Sequence, residues 1–173
     1  MDNERNKQEV NAVDPLKVYR DLVRFAIEEN LSQVVPNEEP AHARIILEEM
    51  AKHSVKTFYA VSNKLSEDVW DNAVISAISS AVDRGVDVRL LVERPCENVD
   101  RLPENVRERV RSASPKSGEL VNLAIMDGRV FRVELDKAAR KALFGVNVKE
   151  LSEQIARASG KIAFAFDVTG KGA

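Results

Sequence analysis

Residues 40–92 alternate between helical and strand patterns, and that alternation leaves few architectures open. Pro40 opens a helical stretch to about residue 53, with Ile45, Ile46 and Met50 as its apolar positions. Val55 to Val61 is short and rich in β-formers, and reads as a strand. Ser66, followed by Glu67 and Asp68, starts a long helix to about Arg84. Acids suit its positive end, and Gly85 suits its C-terminal stop. Trp70, Val74, Ile78 and Val82 recur on it at every fourth position. Val86 to Val92 is a second strand, ending in the apolar run Leu90, Leu91, Val92. Strands joined by a helical crossover pair in parallel, with a right-handed connection. The expectation is an α/β domain with a mixed, partly parallel sheet flanked by helices.

The remaining segments attach to this unit. Residues 1–13 are polar and charged and read as a flexible leader. Asp14-Pro15 is an N-cap followed by proline at the first helical position. Leu16, Tyr19, Leu22, Val23 and Ile27 then follow helical spacing to about Asn30, and residues 31–39 connect onward. Residues 14–39 thus read as an N-terminal helical arm. After a loop at 93–102, Pro103 starts a charged helix to about Ala113, and 114–118 form a linker. Apolar runs near 120–126 and 129–135 flank Asp127-Gly128, a strong hairpin signal. A turn at 136–140 precedes a strand at 141–146. Asn147 caps a helix over 148–159, and 161–166 alternates as a last strand. The domain is expected to span 40–166, with a flexible tail at 167–173.

Composition narrows the function classes. A chain of 173 residues, 44% hydrophobic, holds enough apolar material for one core. Its net charge of −2 argues against a protein that coats nucleic acid through massed phosphate contacts, although a local basic patch stays open. Cys96 is the sole cysteine, so no intrachain disulfide or cysteine zinc site can form. A reducing, cytoplasmic setting is expected, with no signal peptide and no membrane span. His42 and His53 stand eleven residues apart, too far for one helical metal face. His42 reads as a surface residue, and His53 suits a helix C-terminus. No metal or other cofactor is expected.

The run from Ala81 to Val92 and the later strand ending in Asp127-Gly128 give a further signal. With the element order from about 40 to 166, they resemble one half of a phospholipase D-like enzyme. The resemblance covers roughly three quarters of the chain. It implies a site built from His-x-Lys-x4-Asp-Gly and a following Gly-Ser-x-Asn-like segment. With the aspartate placed on Asp127, the lysine position falls on Asn122 and the histidine position on Leu120. Gly145 and Asn147 match the later segment, with Val146 where a hydroxyl is expected. In that family the histidine attacks phosphorus while lysine and asparagine hold the phosphate oxygens. Leucine has no lone pair to attack with, and asparagine brings no positive charge.

Plainer roles compete for the same residues. Asp127 before glycine is also a turn residue, and Asn122 also fits a solvent-facing strand position. A metal nuclease would pair Asp127 with Glu134 and a lysine two residues later, but Lys137 is one residue late and falls on the other strand face. Alternation puts Phe131, Val133 and Leu135 on a buried face, and Arg132 and Glu134 on a solvated, charged one. Arg107, Arg111 and Lys116 form a weak basic patch, with Arg107 and Arg111 on one helix face among interleaved acids.

Three functions remain in view. The first is a catalytically inactive phospholipase D-like module that binds or regulates through protein contacts. The second is a phosphodiesterase or nuclease with a divergent site at Asn122, Asp127 and Asn147, completed in a dimer. The third is a structural subunit of a larger complex. Single halves in this family pair about a two-fold axis, so the resemblance implies a homodimer or a similar protein partner.

Overall fold

The computed structural model describes residues 13–93, 96–113, 121–136 and 138–148. Its elements run α1 (Pro15–Glu28), β1 (Gln33–Asn37), α2 (Pro40–His53), β2 (Thr57–Ser62), α3 (Asn72–Asp83), β3 (Asp87–Glu93), a 3-10 turn (Glu97–Arg101), α4 (Glu104–Arg107), β4 (Val110–Ala113), β5 (Leu123–Met126), β6 (Val130–Asp136) and β7 (Lys141–Val146). The strands make one sheet in the order β1-β7-β6-β5-β2-β3-β4. β2, β3 and β4 run parallel, while β5, β6, β7 and β1 are antiparallel to their neighbours. The mixed α/β sheet expected from the alternation is present.

Local chemistry sets the element ends. Asp14 Oδ1 accepts from Leu16 N at 3.0 Å, and Pro15 fills the first helical position. α1 ends where Asn30 turns left-handed, with Leu31 N donating to Ala26 O and Asn30 N to Ile27 O. Gly85 ends α3 the same way: Val86 N donates to Ala81 O and Gly85 N to Val82 O. Arg84 reaches back to the last carbonyls of α2, at Ala51 and Lys52.

Three boundaries differ from the sequence expectation. The long helix starts at Asn72, not after Ser66, because Asp71 accepts from both Ala73 N and Val74 N at 3.0 Å. Ser66 instead closes one separate turn, accepting from Val69 N and Trp70 N. The charged helix from Pro103 lasts only to Arg107, because Val110–Ala113 joins the sheet as β4 beside β3. The connection at 31–39 contains a strand: β1 pairs with β7 along the sheet edge, where Pro36 can sit without breaking an interior ladder. The expected helix over 148–159 and strand over 161–166 lie outside the described residues, apart from Val148.

The main core lies between the sheet and α1, α2 and α3. Ile46, Met50, Phe58, Val74, Ile78, Leu90, Met126 and Phe144 are buried there. Residues 14–39, read from sequence as an arm, contribute Val23, Ala26 and Ile27 to that core. A second cluster occupies the opposite sheet face, around Val61, Leu91, Leu123, Ile125 and Phe131. There Gly145 lies so near Phe131 that an added Cβ would come within 2.2 Å of the ring. Packing therefore accounts for glycine at 145. With both sheet faces covered, β6 has no solvated side at its centre. Arg132, expected on a solvated face, is 8% exposed beneath the helices. Leu135, expected on the buried face with Phe131 and Val133, is exposed where the β6–β7 register shifts between Glu134 and Asp136.

Candidate functional site

In open α/β sheets, ligands settle beyond the carboxyl ends of parallel strands. A cavity of about 220 Å³ lies at that end of β2. Ser62, Asn63 and Lys64 leave β2 there, Asn122 and Leu123 enter β5, and Arg132 and Glu134 come from β6. Glu38, Glu39 and Pro40, at the start of α2, form another side. Trp70 is also in the wall, and 5% exposed, so it serves the interior rather than an outer surface.

Asn122 is held from two directions. Its Oδ1 accepts from Asn63 N at 3.0 Å, and its Nδ2 donates to Glu134 Oε2. It therefore ties the end of β2 to the end of β6. Arg132 lies deeper. Its Nε donates to Asn37 Oδ1 at 2.9 Å, and Asn37 is itself 1% exposed. Burial pulls the Arg132 guanidinium below its ordinary value, and the charge of Glu134 and the phenol of Tyr19 offset part of that. Burial pushes the Tyr19 phenol up, with Arg132 pulling the other way. Tyr19 Oη is buried without a hydrogen-bond partner among the described residues.

Asp127 and Asn147 are elsewhere. Asn122 and Asp127 sit at opposite ends of β5, about 17 Å apart for an extended run of that length. Asp127 and Gly128 both have positive φ, and Arg129 N donates to Met126 O at 3.0 Å, closing a tight hairpin turn. The Asp127 carboxylate accepts from Val55 N at 3.0 Å and from Lys56 N and Thr57 N at 2.8 Å each. Asn147 lies at this same end, donating its N–H to Arg129 O and bonded to Ser32. The site does not bring Asn122, Asp127 and Asn147 together. Leu120 lies outside the described residues.

The other candidates have structural partners. Arg107 donates to the carbonyls of Leu102 and Asp100, and Arg111 to those of Val110 and Glu108. They do not share a helix face, because Arg111 belongs to β4. Lys116 and Lys137 lie outside the described residues. His42 is half-buried and stacks on Tyr19 with ring centroids 3.9 Å apart, which corrects its reading as a surface residue. His53 bonds Glu28 Oε1 across the α1–α2 contact and Glu49 O within its own helix. Neither histidine is in the cavity wall. Burial pushes the Cys96 thiol up, the reverse of an activated thiol. Among the described residues, no cluster of three or more His, Cys, Asp or Glu is placed to hold a metal, and no helix is long and apolar enough to cross a membrane.

No protein-family model and no curated protein matches the chain. Solved structures do. The archaeal chromatin protein TrmBL2, described as showing a novel mode of DNA binding, is 16% identical with a TM-score of 0.61, over 86% of this chain. The chain spans 60% of the length of that protein. NucT from Helicobacter pylori is 14% identical with a TM-score of 0.50, over 76% of this chain and 95% of that one. Polyphosphate kinase from Porphyromonas gingivalis is 17% identical with a TM-score of 0.50, over 74% of this chain and 25% of that one. The last two are phospholipase D-family structures. Likeness at these identities concerns the fold alone, and the chain has a phospholipase D-like fold.

Proposed function

We propose that the chain is a binding module on a phospholipase D-like scaffold, recognising a ligand or partner without cleaving phosphodiester bonds. The observation that carries this reading is the dispersal of the motif positions. Asn122 bridges Asn63 and Glu134 at the cavity, while Asp127 is occupied by three backbone N–H groups at the far end of the sheet. Asn147 belongs to that far end too. The cavity wall includes no histidine and no cysteine to serve as nucleophile or base. Of its two serines, Ser62 is already engaged, accepting from Leu65 N at 3.0 Å, and Ser66 has no histidine in the wall to activate it.

The test is a steady-state assay of the purified chain on bis(p-nitrophenyl) phosphate, single-stranded and duplex DNA, and RNA, each with magnesium and with EDTA. The expected result is no turnover above buffer. Turnover that disappears in Asn122→Ala would establish the divergent enzyme instead.

A protein partner belongs to this reading, and a second copy of the chain is the partner that a single half implies. Val18, Leu22 and Phe25 support it. They lie at i, i+4 and i+7 on the outer face of α1, and Leu22 and Phe25 are 60% and 54% exposed. Sedimentation at micromolar concentration is expected to give a dimer that Leu22→Glu shifts toward monomer. A wild-type monomer at that concentration contradicts the pairing. DNA is a second candidate partner, since the fold is shared with a chromatin protein. The net charge of −2 and the acids around the cavity weigh against it.

A further inference from the structure

The cavity wall holds a buried cation that no carboxylate among the described residues pairs. Arg132 is more than nine-tenths buried, and its Nε donates to the neutral amide of Asn37. Among the described residues its terminal nitrogens make no hydrogen bond or ion pair. Glu134 acts on it through charge without an ion-pair contact. A buried guanidinium is costly unless its donors are matched, and its planar fork matches an oxyanion. The first turn of α2 borders the same cavity, and its N-cap Glu39 makes no side-chain capping bond. Its leading N–H groups add positive potential to that wall.

The rest of the wall restricts what kind of anion can enter. Glu38, Glu39, Asp68 and Glu134 line it beside Lys64, Arg132 and Arg140. A polyanion such as a nucleic-acid backbone would meet those carboxylates at each further phosphate. A small molecule with one oxyanion meets Arg132 and then needs donors for the acids around it.

We propose that this cavity binds a small molecule bearing one oxyanion, carboxylate or phosphoryl, next to amino or hydroxyl groups. Arg132 takes the oxyanion, and Glu134 and Asp68 accept from the donors. This site rests on the binding-module reading above.

The experiment is a ¹H–¹⁵N shift map of the full chain with glycine, serine, glycerate, glycerol 3-phosphate, inorganic phosphate and a short oligothymidylate, each to ~10 mM. At least one small acid with amino or hydroxyl groups is expected to shift Asn122, the Trp70 indole and the Arg132 Nε–H. Arg132→Gln is expected to weaken it by about tenfold or more. Glu134→Gln is expected to weaken the amino and hydroxyl acids more than inorganic phosphate. The proposal is overturned if no small probe shifts those signals, if only oligothymidylate does, or if a folded Arg132→Gln binds as wild type does. If Arg132→Gln does not fold, the wild-type map and Glu134→Gln decide the outcome. The two readings fail separately. Asn122-dependent phosphodiester turnover overturns the binding module and leaves the map standing, whereas a silent map without turnover overturns only the small acid.

Discussion

Asp127 gathers the backbone N–H groups of Val55, Lys56 and Thr57 onto one carboxylate, and so fastens the β5–β6 turn to the entry of β2. Asp127→Ala removes the acceptor and puts a Cβ-bearing residue without a local hydrogen bond at φ 51°. It is expected to lower stability by about 2 kcal/mol in urea unfolding, with Asp127→Asn losing less because asparagine tolerates that conformation. A variant as stable as wild type would contradict the fastening role. The turn itself was legible from Asp127-Gly128, since few residue pairs accept two positive φ angles in succession. The fastening was not, because Val55–Thr57 lies some seventy residues earlier and no spacing rule reaches that far. Arg132 was hidden for a related reason. Strand alternation groups it with Glu134, but only the packing of helices over that face decides that it is buried.

At the scale of elements, α1 is joined to α2 by charge as well as by apolar contact. Glu49 is 0% exposed and bonds to Arg20 and Arg24, and Arg20 also bonds to Glu48. Burial alone would push the Glu49 carboxyl up, but the hydrogen bonds and charges of Arg24 and Arg20 outweigh it and hold the group below the ordinary range. A depressed folded-state value stabilises the protein above the ordinary carboxylate range, and that contribution fades as pH falls through the folded value. The urea midpoint is therefore expected to drop as pH is lowered below about 4.5, and Glu49→Gln is expected to flatten that dependence. An unchanged slope in Glu49→Gln would place the acid sensitivity elsewhere. The same contacts bear on the N-terminal boundary. A chain starting at Pro40 loses Val23, Ala26 and Ile27 from the core and β1 from the sheet edge. It is expected to lose cooperative thermal unfolding, and a sharp transition near the wild-type temperature would show that residues 14–39 are dispensable. The α1 helix was readable from its cap and spacing, and β1 was not. Its five residues include Pro36 and alternate only weakly, and the strand is recruited by β7 from more than a hundred positions downstream.

Across the whole molecule, the fold follows from features that are local in sequence: a strand–helix–strand unit, a hairpin at Asp127-Gly128, and helix caps at Asp14 and Gly85. The site does not, since its wall is drawn from α2, the exit of β2, the entry of β5 and the end of β6. The scaffold keeps an open end of the sheet, and there it presents a buried arginine and a braced asparagine. Recognition without phosphoryl chemistry is the central claim, and a single-turnover reaction tests it most directly. The chain is held in excess over end-labelled single-stranded DNA for several hours, in magnesium and in EDTA, beside Asn122→Ala. Intact DNA with both proteins is the predicted result. Cleavage that scales with wild-type protein and is lost in Asn122→Ala would contradict it.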